Sequence, residues 1–387
     1  MDRSTKPNSY SRREFLKRTF LGLGAAAAFP GLISAPDASD QKYYQYWQKL
    51  EELPEKQKLG IALVGLGGYA TYQLAPALQK TKLCRLAGIV TGTPSKADRW
   101  AEQYNIPQKN IYNYETYDQI ADNPDIDLIY IVLPNGMHAE YTIRGAKAGK
   151  HMISEKPMAT SVADCQAMID ACQHANRKLS IGYRLHFEPH NEEMMRLGQN
   201  EVMGAIKTME GGHAFRIANN PDIWRLDKKL SGGGPLMDVG IYVIQGFIYT
   251  MGKLPISVTA REETRNKHLF SEVEESIYWD MEFPGGVIGK GDTSYSHGAN
   301  YLRATARDGR FRLHPAFSYD GIDGEASKGD MNYPQVPQQT LQMDDFADCI
   351  LNNKESRVPG EMGMRDMKII TAIYQSAYTG EKVTLDL

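Results

Sequence analysis

The stretch Gly65-Leu66-Gly67-Gly68-Tyr69-Ala70 constrains this chain more than any other. It follows an apolar run at 59–64 and precedes a helical stretch at 72–80. A strand that ends on a glycine turn and hands over to a helix opens a βαβ unit. Gly65 makes the turn and Gly67 lets a pyrophosphate approach the helix N-terminus. Ala70 allows the helix to pack close to the strand. A glycine-rich turn with no ligand is the alternative, and the surrounding pattern favours a dinucleotide.

That pattern continues with strands at 84–90, 126–133, 151–154 and 178–183, and helices at 95–104, 138–148 and 162–175. Such alternation predicts a doubly wound parallel sheet, a Rossmann domain over 59–183. From about residue 204 the pattern changes. Strand-like segments at 206–214, 257–263, 274–282, 286–295, 301–307 and 310–313 follow one another, separated by turns such as Pro284-Gly285-Gly286 and Asp308-Gly309. They predict a second α/β domain over 184–387 with a large, mostly antiparallel open sheet. A helix near 237–251 interrupts it, and helices at 344–352 and 364–379 close it. The length of 387 residues agrees with two domains.

The N-terminus carries Ser11-Arg12-Arg13-Glu14-Phe15-Leu16-Lys17 and then a small, weakly apolar run at 19–28. This order is that of a twin-arginine export signal, placed at 1–38, and the apolar run is too short for an ordinary membrane span. It predicts a periplasmic protein, exported folded with any cofactor already inside. Residues 39–58 form an arm rich in Tyr43, Tyr44, Tyr46 and Trp47, either a short helix or a segment lying on a neighbouring subunit. A net charge of -3 gives no electrostatic reason for a nucleic-acid or anionic-membrane partner. Cys84, Cys165, Cys172 and Cys349 lack ligand spacing and read as buried free thiols. His138, His186, His190 and His213 likewise show no metal-ligand spacing, so no metal is expected.

Three further constellations carry chemistry. After the second strand comes Thr91-Gly92-Thr93-Pro94-Ser95-Lys96, with no carboxylate to accept ribose hydroxyls. Thr91, Ser95 and Lys96 suit a 2′-phosphate, so NADP is expected over NAD. Glu155-Lys156-Pro157 follows a strand at the carboxyl edge of the parallel sheet, where such sheets bind ligands. Gly232-Gly233-Gly234-Pro235-Leu236-Met237-Asp238-Val239-Gly240-Ile241-Tyr242 places Asp238 and Tyr242 on one helical face. Tyr242 can move a proton beside a hydride path if a cation such as Lys156 lowers its pKa, with Asp238 orienting it or binding a substrate hydroxyl. A core tyrosine and an N-terminal helix charge are the plainer readings of that pair.

Taken together these residues resemble the Gfo/Idh/MocA oxidoreductase family, and within it the glucose–fructose oxidoreductase branch. The resemblance runs from about Gly60 to the C-terminus. Its most specific stretches are Tyr130-Ile131-Val132-Leu133-Pro134-Asn135, Glu155-Lys156-Pro157-Met158-Ala159, Ile181-Gly182-Tyr183-Arg184, Trp224-Arg225-Leu226 and Leu236 to Tyr242. Most members carry His where Tyr242 stands; Tyr marks the branch. The resemblance implies a Rossmann domain followed by an open-sheet α/β domain, with Lys156 the catalytic lysine and Tyr242 the acid/base. It implies coenzyme contacts from Gly65, Leu66, Gly67, Tyr69, Ala70, Thr91, Gly92, Lys96, Tyr114, Leu133, Pro134, Asn135, His138 and Glu155. Arg184, Trp224 and Arg225 touch cofactor or substrate by the same resemblance. The expected protein is a periplasmic homo-oligomeric oxidoreductase with tightly bound NADP, oxidising an aldose to a lactone and reducing a second sugar. A polyol or cyclitol dehydrogenase with exchangeable cofactor, an NAD-dependent glycosidase and a non-enzymatic sugar sensor are the alternatives.

Overall fold

The structure is a computed structural model and describes residues 42–387. The expected export signal and the first residues of the arm lie outside the described residues. The first sheet contains β1 (Leu59–Val64), β2 (Cys84–Val90), β3 (Ile111–Tyr112), β4 (Leu128–Ile131), β5 (His151–Ser154) and β6 (Leu179–Ile181). All pairs are parallel and the order is β3-β2-β1-β4-β5-β6. The order reverses between β1 and β4, which opens the crevice that such sheets use for ligands. Every residue of β1 is buried, as a central strand covered on both faces requires.

Ahead of this sheet, α1 (Tyr43–Lys49) is a short helix that straps onto its own chain. Behind β1, one wide π-type turn (Ala70–Leu74) runs into α2 (Ala75–Leu78). The sheet is flanked by α3 (Pro94–Tyr104), α4 (His138–Lys147) and α5 (Val162–His174). Asn105, at φ 52°, ends α3 in the left-handed conformation. Ser161 caps α5 by accepting from Asp164 N at 3.1 Å.

The chain then forms α6 (Pro189–Gln199), β7 (Ile206–Ala214), α7 (Lys228–Ser231) and α8 (Ile241–Met251). A run of strands follows: β8 (Ser257–Glu263), β9 (Ser276–Phe283), β10 (Val287–Ser294), β11 (Ala299–Ala306), β12 (Gly309–Leu313), β13 (Gly324–Ala326) and β14 (Gly329–Asp330). Two helices, α9 (Gln338–Leu351) and α10 (Gly360–Thr379), precede the final β15 (Val383–Thr384). The second sheet has nine strands in the order β14-β13-β12-β11-β7-β10-β9-β8-β15. Only β7 and β10 pair in parallel. In β9, Ile277, Trp279, Met281 and Phe283 are buried between half-buried Tyr278, Asp280 and Glu282. This is the alternation of a sheet with one covered face. On the other face the register sets Arg303, Glu210, Lys290 and Asp280 side by side, a row of alternating charge. Every residue of α8 is buried, so it is a core helix.

Several elements escaped the sequence pattern. β3, β13 and β14 are two or three residues long, too short for periodicity to register. α6 begins on Pro189 with Glu188 accepting from Asn191 N at 2.8 Å. Those are helix-start signals, but they follow a strand that ends early at Ile181. The helix α9 lies within the second domain's sequence yet packs on the first. Its Met343, Phe346 and Ala347 share an apolar cluster with Leu59, Ile61 and Leu63 of β1. All four cysteines are free and buried. Among the described residues, no helix is long and apolar enough to cross a membrane, and no group of His, Cys, Asp and Glu could hold a metal ion.

Candidate active site

The glycine turn lies at the carboxyl end of β1. Gly65 has φ +93°, and a Cβ there would meet the Val132 carbonyl oxygen at 2.4 Å, so only glycine fits. At Gly67 the opposite holds: a Cβ would meet nothing within 4 Å. That open cradle, beside the first turn of a helix, suits a pyrophosphate. Leu66 is buried and offers the cradle only its backbone, and fully buried Ala70 allows the close packing expected of it. The residues present therefore fit a nicotinamide dinucleotide. Tyr69 stands at the cradle's edge, half-buried.

At the end of β2, Thr91 is buried and its hydroxyl accepts from Thr93 N at 3.2 Å. The Tyr114 ring lies against Gly92, where a Cβ would meet it at 3.0 Å. Lys96, in the first turn of α3, is half-buried and forms no ion pair among the described residues. Thr91, Gly92, Lys96 and Tyr114 thus form one corner of the crevice, with an unpaired cation and no acid in that helix's first turn.

The third corner joins the two domains. Lys156 follows β5, and its Nζ donates to the Asp238 carbonyl oxygen at 2.5 Å. The same ammonium lies 3.5 Å from the Asp238 carboxylate and 5.0 Å from the centroid of the Tyr242 ring. Asp238 sits in a second wide turn (Leu236–Gly240) that leads into α8. Single π-type turns concentrate at functional sites, and the two among the described residues, 70–74 and 236–240, both lie beside the crevice. Arg225 Nε donates to the other Asp238 oxygen at 2.8 Å, and the Tyr295 hydroxyl donates to it at 3.1 Å. Burial alone would raise the Asp238 pKa; Arg225 and Lys156 outweigh it and hold the carboxyl near 2. The Arg225 guanidinium also lies 4.6 Å over the Trp224 ring.

Why the chain spells three glycines before this turn is now visible. A Cβ on Gly232 would press on Thr160, on Gly233 it would meet the Tyr374 hydroxyl at 2.1 Å, and on Gly234 the Glu274 carbonyl oxygen at 2.4 Å. These close approaches let the buried Glu274 carboxylate accept from Gly234 N at 2.9 Å, Leu236 N at 3.1 Å and the Tyr374 hydroxyl at 2.9 Å. The turn that carries Asp238 is therefore clamped from below.

Arg184, fully buried, has its guanidinium between two rings, 5.1 Å from Tyr242 and 4.4 Å from Tyr319. It donates to the carbonyls of Phe317 and Ser318 and to Gln338, while its Nε is buried without a partner. His213 meets the Tyr242 ring edge-on at 5.3 Å and stacks on Phe317. Burial, with Arg184 and Lys156 nearby, pushes its pKa down to about 3, so it is neutral at ordinary pH. Glu155 points inward and accepts from the Tyr130 hydroxyl at 2.6 Å, which in turn accepts from Gln342 Nε2 at 2.8 Å.

Sequence reasoning placed Lys156, Asp238, Tyr242, Arg184 and Arg225 in one site, and the structure brings them together. Two expected coenzyme contacts differ. His138 is fully buried, with Nδ1 against the Pro157 carbonyl at 2.9 Å and Nε2 against that of Leu133 at 2.8 Å. It has no free polar atom for a ligand and instead ties the loop after β4 to the loop holding Lys156. Asn135 is also turned away, donating to the Ser231 carbonyl at 2.8 Å and so bridging the domains beside Leu133 and Pro134. The residues missed are Tyr295, Tyr319, His213 and Glu274. They come from the second domain's strands and loops, where no spacing links them to the motifs.

Residues 59–183 match a model described as an oxidoreductase family with an NAD-binding Rossmann fold. Residues 192–314 match a GFO/IDH/MocA C-terminal domain, and 329–385 an oxidoreductase-family C-terminal alpha/beta domain. The chain is similar to the crystal structure of an aldose-aldose oxidoreductase from Caulobacter crescentus, solved with glycerol. Identity is 41%, the TM-score is 0.82, and the match covers 85% of this chain and 100% of that one. It is also 27% identical over 349 residues to a D-xylose 1-dehydrogenase [NADP(+)] of Haloarcula marismortui, covering 88% of this chain and 96% of that one. A levoglucosan dehydrogenase solved with NADH and L-sorbose shares the fold at 20% identity, with a TM-score of 0.72 over 85% of this chain and 99% of that one.

Proposed function

This chain belongs to the Gfo/Idh/MocA oxidoreductase family, and from that premise we propose that it oxidises an aldose at its anomeric carbon to a lactone. The coenzyme in this reading is NADP, held tightly, with a second sugar taking the electrons back in the other half of the cycle. The protein acts in the periplasm, after export through the arginine pair Arg12-Arg13. Support for NADP over NAD comes from Lys96, a cation without a partner acid in the first turn of α3.

One observation carries the proposal: an ammonium, a phenol and an ionised carboxylate meet at the carboxyl edge of the parallel sheet. A bound nicotinamide supplies the hydride acceptor and donor. Tyr242, as the phenolate, takes the proton of the anomeric hydroxyl as its C–H bond gives up the hydride, and as the phenol returns it in the reverse direction. Negative charge developing on either oxygen meets Lys156 and Arg184, two fixed cations 5.0 and 5.1 Å from the Tyr242 ring. Asp238, kept ionised by Arg225 and Lys156, fixes the ammonium and offers an acceptor to a sugar hydroxyl.

The test is an absorbance spectrum of the purified protein, titrated first with an aldose and then with a ketose. The expected result is co-purifying NADP that is reduced by the first sugar and reoxidised by the second, with lactone as the product of the first step. Lys156→Ala and Tyr242→Phe should each lower turnover by about 10²-fold or more. Near-wild-type rates in both variants, or release of a free sugar from a glycoside instead of a lactone, would overturn the assignment.

A further inference from the structure

The mouth of the coenzyme crevice is crossed by a pair of tyrosines from different domains. Tyr69 comes from the glycine turn and Tyr319 from the loop between β12 and β13. Their rings stack with centroids 5.7 Å apart and planes 29° from parallel. Tyr319 remains 44% exposed, so it stands at the rim with one face to solvent.

A rim tyrosine on a loose loop would be a passing contact. This loop is pinned. The Asn300 side chain accepts from Ala316 N at 2.9 Å and Phe317 N at 2.8 Å, and donates to Ser318 Oγ at 3.0 Å. Gln338 Nε2 donates to the Ser318 carbonyl at 3.1 Å and the Tyr319 carbonyl at 3.0 Å. Arg184 donates to the Phe317 carbonyl at 2.6 Å and the Ser318 carbonyl at 2.9 Å, and covers the Tyr319 ring at 4.4 Å. Three side chains from three separate segments (β11, α9 and the turn after β6) thus fix a loop of four residues. These bonds fix the backbone that carries Tyr319, while Tyr69 and Arg184 hold its ring, and several of these groups are buried, where lost bonds are costly.

We infer that Tyr319 is a coenzyme latch: with Tyr69 it closes the crevice over a dinucleotide seated on the glycine turn, and its pinned loop makes release slow. The inference rests on the coenzyme reading above and adds a residue and a mechanism for retention within a single chain. Affinity differences between related complexes lie mostly in the rate of departure, so that rate is the quantity to measure. The latch needs the aromatic ring of Tyr319 and the bonds of its loop; it does not need the hydroxyl.

The experiment loads the whole protein with NADPH, mixes it with a large excess of NADP, and follows the fluorescence of bound NADPH as it leaves. Tyr319→Ala should release it about tenfold faster or more, Asn300→Ala should fall between that and wild type, and Tyr319→Phe should match wild type. Thermal midpoints of the stripped proteins separate a latch from a general loss of structure. Wild-type release rates in both alanine variants, or release that rises only in step with lost stability of the stripped protein, overturn the latch alone. A wild-type protein that holds no NADP and binds none when offered it overturns the coenzyme reading, and the latch with it.

Discussion

The helix α9 touches buried charge at its start and again from its middle onward, and the company differs. At its start, Gln338 meets Arg184, which belongs to a crevice rich in cations. Lys156 and Arg225 hold Asp238 there with its carboxyl near pKa 2, and Lys156 and Arg184 also face the buried Glu155. Half a helix later, Asp344, Asp345 and Asp348 face the strap helix α1 together with Glu192 of α6. Asp344 accepts from Trp47 Nε1 at 2.7 Å, Lys82 N at 2.8 Å and Leu83 N at 2.9 Å; Glu192 accepts from Tyr43 N at 3.0 Å. Burial lifts Asp345 to about 6 and Glu192 to about 7, against only partial relief from Arg357 and, at Glu192, from the Tyr43 amide. Asp238, paired directly with two cations, stays charged and can bind and orient, whereas burial prevails at Glu155. Asp344, which serves amide and indole N–H groups, has its pKa raised by burial and holds segments together.

The largest test of that contrast is Asp238→Ala. It strands Arg225, Lys156 and the Tyr295 hydroxyl, and should cost about 3 kcal/mol of stability as well as most of the turnover. A variant that melts with wild type would break the contrast. Glu274→Ala comes next, because that acid is satisfied by N–H and O–H donors alone. About 2 kcal/mol should be lost, and Glu274→Gln should recover part of it. If glutamine were as harmful as alanine, the carboxylate would be acting through its charge.

The smallest effect has the opposite sign. Glu192 has a raised folded-state pKa, so its contribution to stability is full below about 4.3, the unfolded value, and is lost as pH climbs through about 7. Glu192→Gln should therefore stabilise the protein at pH 8, by on the order of 1 kcal/mol, and flatten the decline between pH 5 and 8. Asp238 behaves in reverse, present above about 3.9 and lost as pH falls through about 2. Thermal melts across that range decide whether the strap and the crevice fail at opposite ends of the scale.

Much of this was legible in the residues. β1 is an apolar run that ends on Gly65, and α8 is apolar all round, so both announce their surroundings. Lys156 and Asp238 could be singled out because each stands in a motif beside a recognisable strand or helix start. Tyr319 could not be found that way: its place depends on Arg184, Asn300 and Gln338, which are scattered along the chain and lie in no shared period. His138 was misread because it opens a helix at the crevice edge, a position that does not reveal where two ring nitrogens will turn. The strap's footing was equally hidden, since Trp47 and Asp344 are 297 positions apart and Tyr46 and Asp348 are 302 apart.

Those separations set an order of assembly. The strap is the first described segment to emerge during synthesis, yet its acceptors on α9 are among the last. Until residues 338–351 have been made, the Trp47 indole and the Tyr46 hydroxyl lack their carboxylate acceptors, although Lys82 can already meet the Trp47 ring. The side chains of Tyr46 and Trp47 therefore wait for their carboxylate partners until nearly the whole protein exists.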